Sequence, residues 1–240
     1  MNIQNSILET FERQSFNSLN GFTVSFTLAI FLTILQAWGL WKQNIKIKKN
    51  ESGESLSLIF FSAQFLYFLG YVIYGLYIHD IVIILNNFLG LFFIPIIVNL
   101  IRYKYKKLKE NFKSENRALL LRKFVFEVVV SSLLFIIFLP IIFLINNKDL
   151  MVAILLAVVI ISIIPQARDI LIKKNTKNIE LRFIIAFMIS SSLWLTYGVV
   201  GILSGSSIGW GFITSCSSTL IISALLLIVC KLFNKKSSIE

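Results

Sequence analysis

Carboxamides, aromatic rings and hydroxyls set inside long apolar stretches are the residues of this chain with chemistry to offer. Gln36, Gln64, Asn86, Asn87, Asn99 and Gln166 stand there, with serine-rich runs at 190–192 and 215–218. A carboxamide carries two donors and an acceptor and so matches a hydroxyl group, which is donor and acceptor at once. Tyr67, Tyr71, Trp194 and Trp210 can stack on the apolar face of a ring. Amides in apolar helices also serve as interhelical glue, and Gln64, Asn86 and Asn99 are read that way.

Reactive constellations are missing from the pattern. No nucleophile–base pair, glycine-rich phosphate loop or metal-ligand cluster is apparent, so no enzyme, no cofactor and no metal site are expected. Cys216 and Cys230 fall in one apolar run about four helical turns apart, too far for a disulfide or a shared metal. Asp80, Glu127 and Asp149 lie near the edges of apolar stretches, and His79 beside Asp80 reads as an exposed turn pair. A proton relay or a cation site would need a titratable side chain deeper in.

These residues must be held by helices in lipid. With 57% hydrophobic and 15% charged residues among 240, and a mean hydropathy of +0.82, the chain cannot cover itself with a wetted surface. A spanning helix needs about 20 mostly apolar residues, and such windows occur near 22–41, 56–78, 81–101, 128–146, 150–167, 183–203 and 208–230. The charge-free run from Phe183 to Cys230 is divided at Leu203-Ser-Gly-Ser-Ser-Ile-Gly209, a cluster of turn formers.

The net charge of +11 is distributed among loops and not gathered in one stripe, which argues against nucleic acid. Assigned to alternating sides, 21 Lys and Arg fall on one side and only Arg13 and Lys148 on the other. Positive charge marks the cytoplasmic side, so a multi-pass cell-membrane protein with its N-terminus outside and its C-terminus in the cytoplasm is expected. The polar opening, with Glu9, Glu12 and Arg13, does not read as a cleavable signal peptide. The segment 102–123 is a basic connector whose charge enforces topology.

An internal repeat orders the spans. Gln36 ends the first span, and a basic loop, Tyr71-Val-Ile-Tyr74-Gly75, Asp80 and Asn87-Phe-Leu-Gly90 follow. Pro165-Gln166 is followed by a basic loop and Trp194-Leu-Thr-Tyr197-Gly198. From Gln36 to Tyr74 is 38 residues and from Gln166 to Tyr197 is 31, a difference assigned to extra residues, Asn50-Glu-Ser-Gly53, in the first loop. An odd-numbered repeat would put its second copy upside down, so one additional span near 128–146 is needed to make the copies parallel. The division expected is therefore an extracellular segment 1–20, a first three-helix repeat 21–102, the connector 103–123, a linker helix 124–147, a second repeat 148–232 and a cytoplasmic tail 233–240.

Pro165-Gln166, Tyr74-Gly75 with Asp80, and Asn87-x-x-Gly90 resemble the SWEET (MtN3/saliva) sugar transporters and the wider PQ-loop group, over about two thirds of the chain. The resemblance implies an all-α membrane protein of seven transmembrane helices in a 3+1+3 arrangement. It implies a uniporter that moves a small neutral solute, a mono- or disaccharide, by alternating access. Asn87 would then hydrogen-bond the sugar, with Trp194 as the pocket aromatic of the second copy and Tyr71 as its equivalent in the first. Tyr67, Ser190, Trp210, Thr214 and Ser215 complete the expected substrate site, and Pro165, Gln166, Gln36, Tyr74, Tyr197 and Asp80 the gates and hinge. Leu35 stands where a proline would complete the dipeptide in the first copy, and no asparagine partners Asn87: counting on from Gly198 reaches Trp210, Thr214 or Ser215. A PQ-loop carrier of amino acids or other metabolites and a seven-helix cargo receptor are the alternatives. Expected partners are the lipid bilayer and the neutral substrate, with a homo-oligomer left open.

Overall fold

The computed structural model describes residues 21–110, 117–173, 176–203 and 210–236. The expected outer segment 1–20, part of the basic connector, the turn 204–209 and the last residues of the tail lie outside the described residues. Seven helices follow in order: α1 (Gly21–Asn50), α2 (Leu58–Ile78), α3 (Ile81–Glu110), α4 (Arg117–Leu144), α5 (Lys148–Lys173), α6 (Leu181–Leu203) and α7 (Trp210–Lys236). Among the described residues, α2 to α7 are six helices long and apolar enough to cross a membrane. The stretch of α1 from 21 to 41 is also free of charge, which brings the spans to seven.

Local chemistry fixes where these helices start and break. Ser57 caps α2 by accepting the N–H of Phe60 at 3.3 Å. The chain reverses after α2 at His79, in the left-handed region at φ 55°. Asp80 then caps α3 through Oδ1, which accepts the N–H groups of Val82 and Ile83 at 2.9 and 3.0 Å. α3 is α-helical over Ile81–Asn87 and Phe93–Glu110, with a 3-10 turn at Phe88–Phe92 between. Pro95 accounts for this break: it has no N–H for the carbonyl of Leu91, and its ring crowds that carbonyl. The tightened turn begins directly after Asn87.

Helix boundaries give the register of the repeat. Asn50 and Lys173 end α1 and α5, Leu58 and Leu181 begin α2 and α6, and both pairs are 123 residues apart. The starts of α3 and α7, Ile81 and Trp210, are 129 apart, so the length difference of six residues falls between the second and third helices, two in α6 and four in the loop before α7. This corrects the expected alignment. The partner of Gln166 is Gln43, not Gln36, and the basic loop of the first copy carries no insertion.

Hydrogen bonding makes the same identification. Gln166 donates Nε2 to the carbonyl of Ser55 at 2.7 Å and accepts the N–H of Ser57 at 2.8 Å. Gln43 donates to the carbonyl of Asn178 and accepts the N–H of Glu180, both at 2.8 Å. Each glutamine thus bridges the same two backbone positions in the loop of the opposite copy.

In each copy the third helix packs against both of the others. Between copies, α1 packs on α6 and α5 on α2, the same pairing with the copies exchanged. The two repeats are therefore parallel and related by a two-fold exchange. At the α1–α6 contact a Cβ on Gly39 would lie 3.1 Å from the Cα of Phe183 and from the Cβ of Ala186. The linker α4 packs on α2 and α3, and only 17% of its apolar window is buried against 83% for α2, so α4 is peripheral and lipid-facing while α2 is central. The protein is a multi-pass membrane protein built as 3+1+3.

Candidate functional site

A cavity lies between the two copies. From the first copy it is lined by Gln36 of α1, by Gln64, Tyr67, Phe68 and Tyr71 of α2, and by Ile83, Asn86 and Asn87 of α3. The second copy contributes Phe187, Ser191 and Trp194 of α6 with Phe212, Cys216 and Thr219 of α7. Every lining side chain is uncharged, as an apolar environment demands of groups without a counter-ion.

Several polar atoms on this wall have no protein partner. Gln36 Oε1 and Trp194 Nε1 are buried without a hydrogen bond, one an acceptor and the other a donor. Tyr71 brings its hydroxyl beside those of Tyr67 and Ser215 without meeting either at hydrogen-bond geometry, while Tyr67 and Ser215 bond each other at 2.8 Å. Asn87 donates Nδ2 to the carbonyl of Ile83 at 2.7 Å, which leaves its carbonyl oxygen and second N–H for a ligand. Asn86 Oδ1 accepts the Thr33 hydroxyl at 3.0 Å and ties α3 to α1 while lining the cavity. Unpartnered buried groups cost about 1–3 kcal/mol each, so those of Gln36, Tyr71 and Trp194 on this one wall mark a surface that a hydroxylated ligand would satisfy.

Both ends of the seam between copies are tied. At the end away from the basic loops, the Tyr197 hydroxyl donates to Asp80 Oδ2 at 2.7 Å. Below it the Tyr74 ring stacks on Phe212, with centroids 6.5 Å apart and planes at 11°. Asp80 lies in the turn between spans; burial pushes its carboxyl above the usual range, against the Tyr197 hydroxyl and the two capping amides, which pull it down. At the basic end the tie is the pair of glutamine bridges, joined by Asn178, whose Nδ2 donates to the carbonyl of Glu54 at 2.8 Å. The linker reaches the second copy there as well, where Lys123 Nζ meets both carboxylate oxygens of Asp169 at 2.5 and 2.6 Å.

The structure brings Asn87, Tyr71, Tyr67, Trp194 and Gln36 together at the cavity. Ser215 stands behind it through its bond to Tyr67, and Ser190 is fully buried outside the lining. Trp210 is 71% exposed, and the exposed Thr214 spends its hydroxyl on the carbonyl of Trp210, so neither reaches the cavity. Pro165 and Gln166 belong to the basic end, and Tyr74, Tyr197 and Asp80 to the other. Sequence reasoning missed Gln43, Phe187, Phe212, Cys216 and Thr219. One signal was available: Gln43 precedes Gly75 by the same 32 residues that separate Gln166 from Gly198.

The position across from Asn87 follows from the packing. A Cβ on Gly75 would meet Ile84, and one on Gly198 would meet Phe212 and Ile213, so Ile84 corresponds to Ile213 and Asn87 to Cys216.

No protein-family model and no curated protein matches the chain. Among solved structures the chain is similar to "The 3.7 A resolution structure of a eukaryotic SWEET transporter", with a TM-score of 0.52 and 15% identity over 90% of this chain and 100% of that one. At that identity the likeness is one of fold, and the fold of this chain is SWEET-like.

Proposed function

We propose that the protein is a facilitative transporter of a small neutral solute, a monosaccharide or disaccharide, working by alternating access across the cell membrane. The observation that carries this reading is the uncharged cavity between the copies, where Gln36 Oε1 and Trp194 Nε1 await partners beside Asn87. Hydroxyl groups are donors and acceptors at once and fit such a wall, whereas an ionic substrate would ask for a compensating charge. A cargo receptor would instead need a charged grip at the outer loops.

The two ties act as alternate gates. The glutamine bridges at the basic end and the Tyr197–Asp80 bond at the other join different copies, so rocking one copy on the other breaks one set while the other holds. Pro165 precedes Gln166 and weakens α5 where it must swing. By its charge distribution the basic end faces the cytoplasm. Uptake of radiolabelled neutral sugars and amino acids into proteoliposomes tests the reading: sugars are expected to enter and to exchange in counterflow. Selective uptake of amino acids would replace sugar as the substrate.

A further inference from the structure

The two-fold exchange that relates the copies does not extend to the chemistry of the cavity. With α2 and α6 offset by 123 residues and α3 and α7 by 129, Gln64 corresponds to Phe187, Asn87 to Cys216 and Asn86 to Ser215. All four carboxamides of the lining, those of Gln36, Gln64, Asn86 and Asn87, come from the first copy, and the second contributes none. Its polar groups are the Trp194 N–H, the Ser191 hydroxyl and the Thr219 hydroxyl, which is already donated to the carbonyl of Ser215 at 2.9 Å. Phe187, Phe212 and the Cys216 thiol make up the rest, and all three are buried.

We infer that the substrate is one-sided: a neutral ring compound with hydroxyls along one edge and an edge poor in hydroxyls opposite, such as a deoxy sugar, and that Cys216 is the position that selects against hydroxylation of the second edge. This deepens the transporter reading and rests on it. A pyranose seated with one hydroxyl edge on Asn87 and Gln36 turns its opposite edge toward Cys216 and Phe187. A thiol is a weak donor and a weak acceptor, and a phenyl ring is neither. A hydroxyl held against Cys216 and Phe187, away from the Trp194 N–H and the Ser191 hydroxyl, gives up water and receives little, which lowers affinity about ten-fold or more, whereas a C–H there gains contact. Along the amide edge the preference is the opposite, since removing a hydroxyl leaves a buried carboxamide unpaired.

The test uses glucose, galactose and mannose with their monodeoxy analogues, competing for counterflow in proteoliposomes. In the wild-type protein, at least one deoxy position is expected to match or exceed its parent, while another loses about ten-fold or more. Cys216→Asn places an amide at the equivalent of Asn87 and is expected to turn the tolerant position into one where the parent wins by about ten-fold. Cys216→Ala, which adds no hydrogen-bonding group, is expected to keep the wild-type ranking. Uniform losses at every deoxy position overturn the one-sided substrate and leave sugar transport standing. A ranking unchanged by a folded Cys216→Asn protein overturns the role of Cys216. Failure of every sugar and analogue to compete overturns the inference together with the transport reading beneath it.

Discussion

Asn87 and Trp194 line the cavity from different copies, and their hydrogen-bonding states separate their roles. Asn87 anchors its own amide nitrogen on Ile83 O, a bond within α3 that alanine would remove without unpairing any other helix. Asn87→Ala is therefore expected to abolish uptake while the purified protein keeps a monodisperse peak in size-exclusion chromatography; loss of that peak would make Asn87 structural instead. Trp194 packs edge-on against Tyr197 and Phe212, at 5.2 and 6.1 Å between centroids, and its N–H stays unpartnered. Trp194→Ala is expected to weaken sugar binding by about 1–3 kcal/mol, through lost stacking and burial. Titration of affinity checks it, and an unchanged value would remove Trp194 from the site. Both residues were singled out by the positions they hold in the resemblance to SWEET transporters, since a polar group in an apolar span reads equally as helix glue, as it does for Gln64 and Asn86, although both also line the cavity. Cys216 and Phe212 were not, because a cysteine and a phenylalanine in such a span look like filler until the register of α7 is known.

The helices themselves were legible from hydropathy, and the 3+1+3 order from the parity of the spans. What misled was the position of the length difference. Loops absorb insertions, so the sequence alone places the difference in the loop near 50–53 and pairs Gln36 with Gln166. The difference lies instead before α7, and Gln43 has no proline beside it to advertise the match. The structural equivalence leads to an expectation about gating. Gln43→Ala and Gln166→Ala each leave a carbonyl and an N–H of the opposite loop unpaired, all buried except the half-buried N–H of Glu180, at about 1–3 kcal/mol per buried group. Both substitutions should bias the protein toward opening at the end of the basic loops, and by similar amounts. The measure is alkylation of a Ser55→Cys reporter in a background lacking Cys216 and Cys230: faster labelling in both variants is expected. Acceleration in only one would show that the bridges do not work as a pair.

For the whole molecule, the distribution of charge decides the energetics of transport. In the proposed orientation Asp80 is the carboxylate of the outer tie, and its raised pKa belongs to the closed form, in which burial outweighs the bonds from Tyr197 and the capping amides. Opening the outer end to water would return the carboxyl toward its ordinary 3.8. The closed form then binds protons more tightly than the open one, so acid stabilises outer closure as pH falls through the raised pKa, with no further gain below the ordinary value. External acid is expected to slow uptake, and Asp80→Asn to remove that dependence. This effect on rate is not coupling. A coupled carrier must place its driving ion where binding shifts the balance between inward- and outward-open forms in step with substrate, and the lining of the central cavity holds no Asp, Glu, His, Lys or Arg among the described residues. Substrate is therefore expected to equilibrate across proteoliposomes and never to exceed its external concentration, whichever way a pH step is imposed. Accumulation that collapses on addition of a protonophore would overturn this and place the proton path at Asp80 and Tyr197, the pair that closes the outer mouth.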